Sequence, residues 1–216
     1  MALRNNTYWE RIGIAGKSFS LKRVRDPDII LNAITEERFA EDERLPYWAD
    51  LWPSAFALAT YIIENQHEFR LKTALEIGCG LGLCGIAASS VGMSVTFSDY
   101  DPWALKFTSD SFKRNFNRKA SVQLLDWRYP ESGQRFDMIL AADVLYEKRW
   151  LRPVIGLIEA NIEQKGMALI AEPNRPIARE FFTLIGQKKW QVRSLLKDVT
   201  IYNKLHQVSI NRITRC

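Results

Sequence analysis

Two hydrophobic periods alternate along this chain. Short β-forming apolar runs recur at residues 74–77, 95–99, 122–125, 136–142 and 167–171. Between them lie stretches with apolar positions every three or four residues, which predict helices at 83–88, 103–117 and 150–163 and after Pro176. Pro153 is expected to break the third of these at its start. Strands that alternate with helices require a doubly wound, mostly parallel sheet covered on both faces. The last segments, 190–195 and 207–213, read as an antiparallel hairpin.

Upstream the pattern changes. Residues 11–24 alternate around Gly13 and Gly16, as a small hairpin does. Asp28 is placed to cap an amphipathic helix over 29–44, which turns acidic at Glu41, Asp42 and Glu43. A rigid aromatic stretch, Leu45-Pro46-Tyr47-Trp48-Ala49-Asp50-Leu51-Trp52-Pro53, then leads into a helix over 53–69 with an apolar stripe at Ala55, Leu58, Ala59, Ile62 and Ile63. The expected division is an N-terminal extension, 1–45, and a main α/β domain, 46–216.

Composition narrows the class. With 47% apolar and 25% charged residues the chain is an ordinary globular one, so disorder and fibres are excluded. No apolar run reaches the roughly 20 residues of a membrane span, and the first residues lack a signal-peptide core. Cys79, Cys84 and Cys216 have no metal-ligand spacing, and their odd number points to free thiols and a cytoplasmic setting. His67 and His206 stand apart, leaving no histidine-based metal site or triad. The +5 net charge is scattered between acids, as on solvated faces, so nucleic acid is not favoured as a partner.

The first strand runs straight into glycines at 78, 80, 82 and 85, where a ligand can lie against bare amides at a helix N-terminus. Residues 80–85 satisfy the dinucleotide pattern GxGxxG, which by itself is weak. Glu76, two residues before the first glycine, would repel a pyrophosphate but attract a sulfonium or ammonium. Asp99 ends the second strand, where a carboxylate binds a ribose diol. After the third strand, Asp126 offers a carboxylate to an adenine amino group and Trp127 an indole to its ring. After the fourth, Ala141 and Ala142 leave room for a cofactor, and Asp143 with Tyr146 reaches one cavity. Asp137, at the start of that strand, is expected at the opposite edge in a structural role.

Glu-x-Gly-x-Gly-x-Gly followed by such an Asp resembles motif I of the S-adenosylmethionine-dependent methyltransferases of the seven-β-strand, Rossmann-like class. With the Pro-Tyr-Trp-Ala-x-x-Trp-Pro box at 46–53 and the Asp-x-x-Tyr at 143–146, the chain is similar to family 16 of that class, mostly protein lysine methyltransferases. The box, and Glu172-Pro173-Asn174-Arg175-Pro176 after the fifth strand, are similar to those of the methyltransferases acting on the electron-transfer-flavoprotein β-subunit. The resemblance covers about residues 46–176 and implies a seven-stranded sheet and S-adenosylmethionine as cofactor. It assigns Glu76, Gly78, Gly80 and Gly82 to the methionine end, Asp99 and Tyr100 to the ribose side, and Asp126 and Trp127 to adenine. It adds Ala142, with Trp52 closing from above. Asp143 and Tyr146 then line the acceptor channel with Tyr47 and Trp48, and a lysine amine is the implied acceptor.

Three rivals remain at this point. A small-amine or RNA methyltransferase would share the cofactor half, but Asp-Val-Leu-Tyr replaces the Asn/Asp-Pro-Pro-aromatic box common in base methyltransferases. A nicotinamide oxidoreductase has Glu76 against it. A non-catalytic adaptor would need no four carboxylates at one rim.

Overall fold

The computed structural model describes residues 6–26, 28–31, 45–129 and 133–216. Strands β1 (Thr7–Ile14) and β2 (Lys17–Val24) form the N-terminal hairpin, turning at Ala15 and Gly16, both at positive φ as a tight two-residue turn demands. Of the helix expected over 29–44, only the turn Asp28–Leu31 falls within the described residues; 32–44 lie outside them. Helix α1 (Pro53–Glu64) and a short turn, Gln66–Phe69, divide the single helix expected over 53–69.

The main body follows as β3 (Thr73–Ile77), α2 (Leu83–Ser90), β4 (Ser94–Asp99), α3 (Pro102–Phe116), β5 (Ser121–Leu124) and β6 (Phe136–Ala142). Then come α4 (Lys148–Asn161), β7 (Ile162–Glu172), α5 (Ala178–Gly186), β8 (Trp190–Ile201) and β9 (Lys204–Arg215). The strands make one seven-stranded sheet in the order β5-β4-β3-β6-β7-β9-β8. β9 is antiparallel to both β7 and β8, and the remaining pairs are parallel.

Side chains on successive positions of a strand point to opposite faces, and the core divides accordingly. Ala74, Met138, Leu140, Leu169 and Ala171 face α1 and α2, where Ile12, Ile14, Phe19 and Leu21 of the hairpin join the same cluster. Leu75, Ile77, Ile139, Ala141, Ala168 and Ile170 face α4 and α5. The hairpin is also pinned to α3: the Ser20 amide donates to Asn115 at 3.0 Å, the Lys22 amide to Ser111 at 2.9 Å, and Lys22 pairs with Asp110.

Three expectations need correction. Pro153 does not break α4, which starts at Lys148 and carries the proline within it. β7 begins at Ile162, directly after the helix, and the pairing register with β6 shifts between Phe136 and Met138. The terminal hairpin is longer than residues 190–195 and 207–213, closing on Tyr202 and Asn203, both at positive φ. Its tip reaches the first hairpin, where the Tyr202 hydroxyl donates to Glu10 and accepts from Arg23.

Candidate active site

β3 sits where the winding reverses, with β4 on one side and β6 on the other, and a hollow opens beyond their carboxyl ends. Counted with its open mouth, the hollow spans about 720 Å³. Glu76, Gly78, Gly80, Asp99, Tyr100, Trp127, Ala142, Asp143 and Tyr146 line it from the sheet side, and Tyr47, Trp48 and Trp52 from the aromatic stretch. A shallow side chamber between Tyr100, Asp126, Trp127, Tyr146 and Trp150 continues it one way. An outer chamber of about 580 Å³, bounded by Tyr47, Trp52, Asp143, Tyr146, Glu147 and Arg175, continues it the other.

The turn after β3 is shaped by backbone requirements. Gly78, Gly80 and Gly82 all have positive φ, a region L side chains enter at a cost. A Cβ on Gly78 would meet the Trp127 indole at 2.8 Å, and one on Gly80 the Trp48 carbonyl oxygen at 3.2 Å. Gly82 does not line the hollow: it caps α2, and a Cβ there would stand 2.6 Å from Thr108. Helix packing and its positive φ explain its glycine.

Glu76 is 3% exposed, and its Oε2 accepts from the Gly85 amide at 3.0 Å. Burial pushes its carboxyl up to about 8, against the pull of that amide. Asp99 is equally buried; Oδ2 accepts from the Gly80 amide and Oδ1 from the Asp101 amide, each at 3.0 Å. Burial raises it to about 6, the two amides opposing. Two buried acids whose charged forms are penalised, both opening on one hollow, fit a ligand that brings positive charge and hydroxyl donors.

Asp126 uses its carboxylate on Arg128, whose Nη2 lies 2.6 Å from Oδ2. Trp127 and Val144 both stand against Gly78, and the Trp127 ring meets Trp150 edge to face at 5.9 Å. Trp48 is buried with its ring against Phe107 at 5.1 Å and lines the main hollow, while the lining of the outer chamber does not include it. Tyr47 does reach that chamber, meeting Tyr146 at 5.5 Å and Trp52 at 6.0 Å between ring centres. The Trp52 indole donates to the Tyr47 carbonyl at 3.0 Å, which fixes the corner.

Asp143 follows β6 at φ +60°, a conformation Asp tolerates better than most residues, and its amide continues the sheet by donating to Ala171. The side chain stands at the junction of the main hollow and the outer chamber. Its Oδ1 accepts from Arg175 Nη1 at 2.5 Å, whereas Oδ2 is buried and accepts no hydrogen bond among the described residues. Sequence reasoning did not place Arg175 at the site, although it noted the segment that contains it.

Two other expectations concern residues outside this chemistry. Asp137 accepts from the Thr73 amide and hydroxyl at 2.8 and 2.9 Å, which holds its carboxyl below the ordinary range, at the far end of the strands. Cys79 is a free thiol buried beside Thr108, and burial pushes its thiol well up, which favours the protonated form. Among the described residues no group of His, Cys, Asp and Glu could hold a metal ion, and no helix is long and apolar enough to cross a membrane.

The chain is 36% identical over 121 residues to the protein-lysine methyltransferase METTL21E of Bos taurus, covering 50% of this chain and 41% of that one. It is 30% identical over 133 residues to the electron transfer flavoprotein beta subunit lysine methyltransferase of Mus musculus, covering 61% and 52%. It thus spans about half the length of the curated relatives it matches. In fold it is similar to magnesium protoporphyrin IX methyltransferase from Synechocystis PCC 6803, with a TM-score of 0.57 over 88% of this chain and 97% of that one at 12% identity. The model of the lysine methyltransferase family matches residues 35–188, and the chain belongs to that family.

Proposed function

We propose that this chain moves a methyl group from S-adenosylmethionine to the side-chain amine of lysine in a protein. The observation that carries the reading is the position of Asp143, a buried carboxylate with one unoccupied oxygen where the glycine-floored hollow meets an aromatic outer chamber. Family membership supports it.

S-adenosylmethionine, when bound, supplies a methyl carbon on a positively charged sulfur, which a nitrogen lone pair takes in line while the C–S electron pair stays on sulfur. The chain's own residues supply alignment. In this reading Glu76 receives the ammonium of the donor's amino-acid end and Asp99 its ribose, with Gly78 and Gly80 as floor. Trp127 and Asp126 flank the adenine side, and Trp52 closes the hollow from above. Tyr47 and Tyr146 guide the apolar stem of the lysine, and Asp143 accepts an N–H from its amine and aims the lone pair, where distances near 3 to 3.5 Å favour attack. The amine must first lose a proton to water, because lysine has an ordinary pKa of about 10.4 and its ammonium has no lone pair.

Residues 46–216 form the transfer unit in this scheme, and 1–45 an extension available for docking the acceptor. The buried free thiols Cys79 and Cys84 suit a reducing compartment, and cytoplasm is the proposed location. Electron-transfer flavoprotein is the first acceptor to examine. The test is transfer of tritium from labelled S-adenosylmethionine in a cell lysate, followed by acid hydrolysis. Label in methyl-lysine from a protein band supports the reading; label confined to RNA or small amines overturns it.

A further inference from the structure

The geometry points to Arg175 as the positioning residue that lets Asp143 orient the acceptor amine without holding it as an unreactive ammonium. This rests on the amine-methylation reading above. Two demands on Asp143 conflict. To aim a lysine nitrogen the carboxylate must accept its N–H, yet a lone carboxylate beside an amine in an aromatic chamber stabilises the protonated form. A cation on the far oxygen separates the two effects: it offsets the charge while the near oxygen still accepts.

That arrangement is present. Arg175 Nη1 lies on Oδ1, and Oδ2 is left buried and unbonded. Arg175 is itself held in place, since its amide donates to Glu172 Oε1 and the turn before it is set by Asn174 at φ +63°. Its guanidinium lies 4.0 Å from Glu172 Oε2.

Other ionisable groups also face Asp143, and Glu172 shares the Arg175 guanidinium with it. Glu147 on the rim is paired with Arg149 at 2.5 Å. Glu172, from the end of β7, is shifted toward its neutral form by burial. Cys84, from α2, is kept neutral by burial, and Tyr47 and Tyr146 form the chamber walls. Glu76 and Asp99 lie on the donor side, where a donor's own positive charge offsets them. Arg175 is thus the cation in direct contact with the Asp143 carboxylate.

Arg175→Gln removes the charge and, because its amide ends two bonds short of Nη1, gives up the hydrogen bond to Oδ1 as well, so Arg175→Lys, which keeps the charge, is measured beside it. The acceptor is the protein that takes label in the lysate assay, purified. Turnover is measured against pH with donor and acceptor saturating, and acceptor affinity by calorimetry on protein filled with S-adenosylhomocysteine. The expected result is an acid limb displaced upward by about one pH unit, hence about tenfold slower transfer at pH 7 that recovers toward pH 9. Acceptor binding at pH 7 should tighten severalfold, and Arg175→Lys should keep the wild-type limb.

A loss of turnover uniform across pH, or weaker acceptor binding, would mark Arg175 as merely structural and overturn the inference. If Arg175→Gln does not fold, as judged by S-adenosylhomocysteine binding, Arg175→Lys decides: a displaced limb despite the retained charge refutes it. Wild-type protein that labels no protein amine refutes the methylation reading itself, and the inference falls with it. Wild-type activity with unaltered profiles in the variants refutes the inference alone.

Discussion

Gly78 lies so close beneath Trp127 that a methyl group on its Cα would come within 2.8 Å of the indole Cζ2 and 3.3 Å of Val144 Cγ1. The indole cannot easily yield, being backed edge to face by Trp150. In Gly78→Ala the new side chain must also adopt φ +60°, at about 1–2 kcal/mol, and overpacking adds about 1–3 kcal/mol. Urea unfolding should therefore show a destabilisation of roughly 2–5 kcal/mol, with S-adenosylhomocysteine affinity reduced at least tenfold by calorimetry. An unchanged midpoint with unchanged affinity would mean that the indole is not wedged.

Glu76 makes the ligand-free protein sensitive to alkali. Its folded carboxyl is raised from 4.5 to about 8, so between those values the folded state binds more protons than the unfolded one. Stability from this group is then greatest below pH 4.5 and is lost as pH rises through about 8. Glu76→Gln, which can still accept the Gly85 amide, removes that loss. Without ligand its melting temperature should gain on the wild type from pH 5 to about pH 8 and level off above that. Added S-adenosylhomocysteine should reverse the order, because its ammonium finds a carboxylate only in the wild type. A difference in melting temperature that is flat with pH would contradict the raised carboxyl.

Much of this architecture was legible because strand and helix periods alternate cleanly from β3 to β6, and β3, β4 and β6 are largely buried on both faces. Legibility failed where packing is one-sided. Leu196 in β8 is exposed on an edge strand, so no alternation marked where that strand ends. Pro153 reads as a breaker, yet α4 continues through it with Leu151, Val154, Ile155 and Ile158 buried against the sheet. The rim acids were legible because strand ends have fixed addresses in this topology. Arg175 was not, because its approach to Asp143 depends on the Glu172 hydrogen bond and the positive φ of Asn174, neither of which is written in local periodicity. Which ring of the aromatic box turns inward was not legible either: Trp48 is buried against Phe107, whereas Tyr47 is exposed.

The Gly82 position separates a packing role from a ligand role. A Cβ there would meet Thr108 Cγ2 at 2.6 Å and Oγ1 at 2.8 Å, and Thr108 also donates to the Gly80 carbonyl at 2.9 Å. Gly82→Ala should destabilise the protein, and Thr108→Ala should do so modestly. The double variant should recover about 1 kcal/mol relative to the sum, since truncating Thr108 relieves the clash but not the strain at φ +77°. Strict additivity in urea unfolding would show that the cost of a side chain at position 82 has another source.

Asp143→Asn tests what the unoccupied oxygen does. Asparagine tolerates the same left-handed backbone, so the turn after β6 should stand, unlike in a variant with a bulkier side chain. The change keeps an acceptor oxygen but removes the charge that draws in an N–H and anchors Arg175. S-adenosylhomocysteine binding should remain within about twofold of wild type, while methyl transfer falls about 10²- to 10⁴-fold. The pH dependence of that loss distinguishes two roles. If Asp143 served to take a proton from the ammonium, raising the pH toward the ordinary lysine value would restore the rate, because solvent would then do the same work. If Asp143 aims a nitrogen that has already lost its proton to water, the deficit persists at pH 9.5, and persistence is the expected outcome. Recovery at high pH would reassign Asp143 to proton acceptance, and transfer unchanged at every pH would remove it from the site.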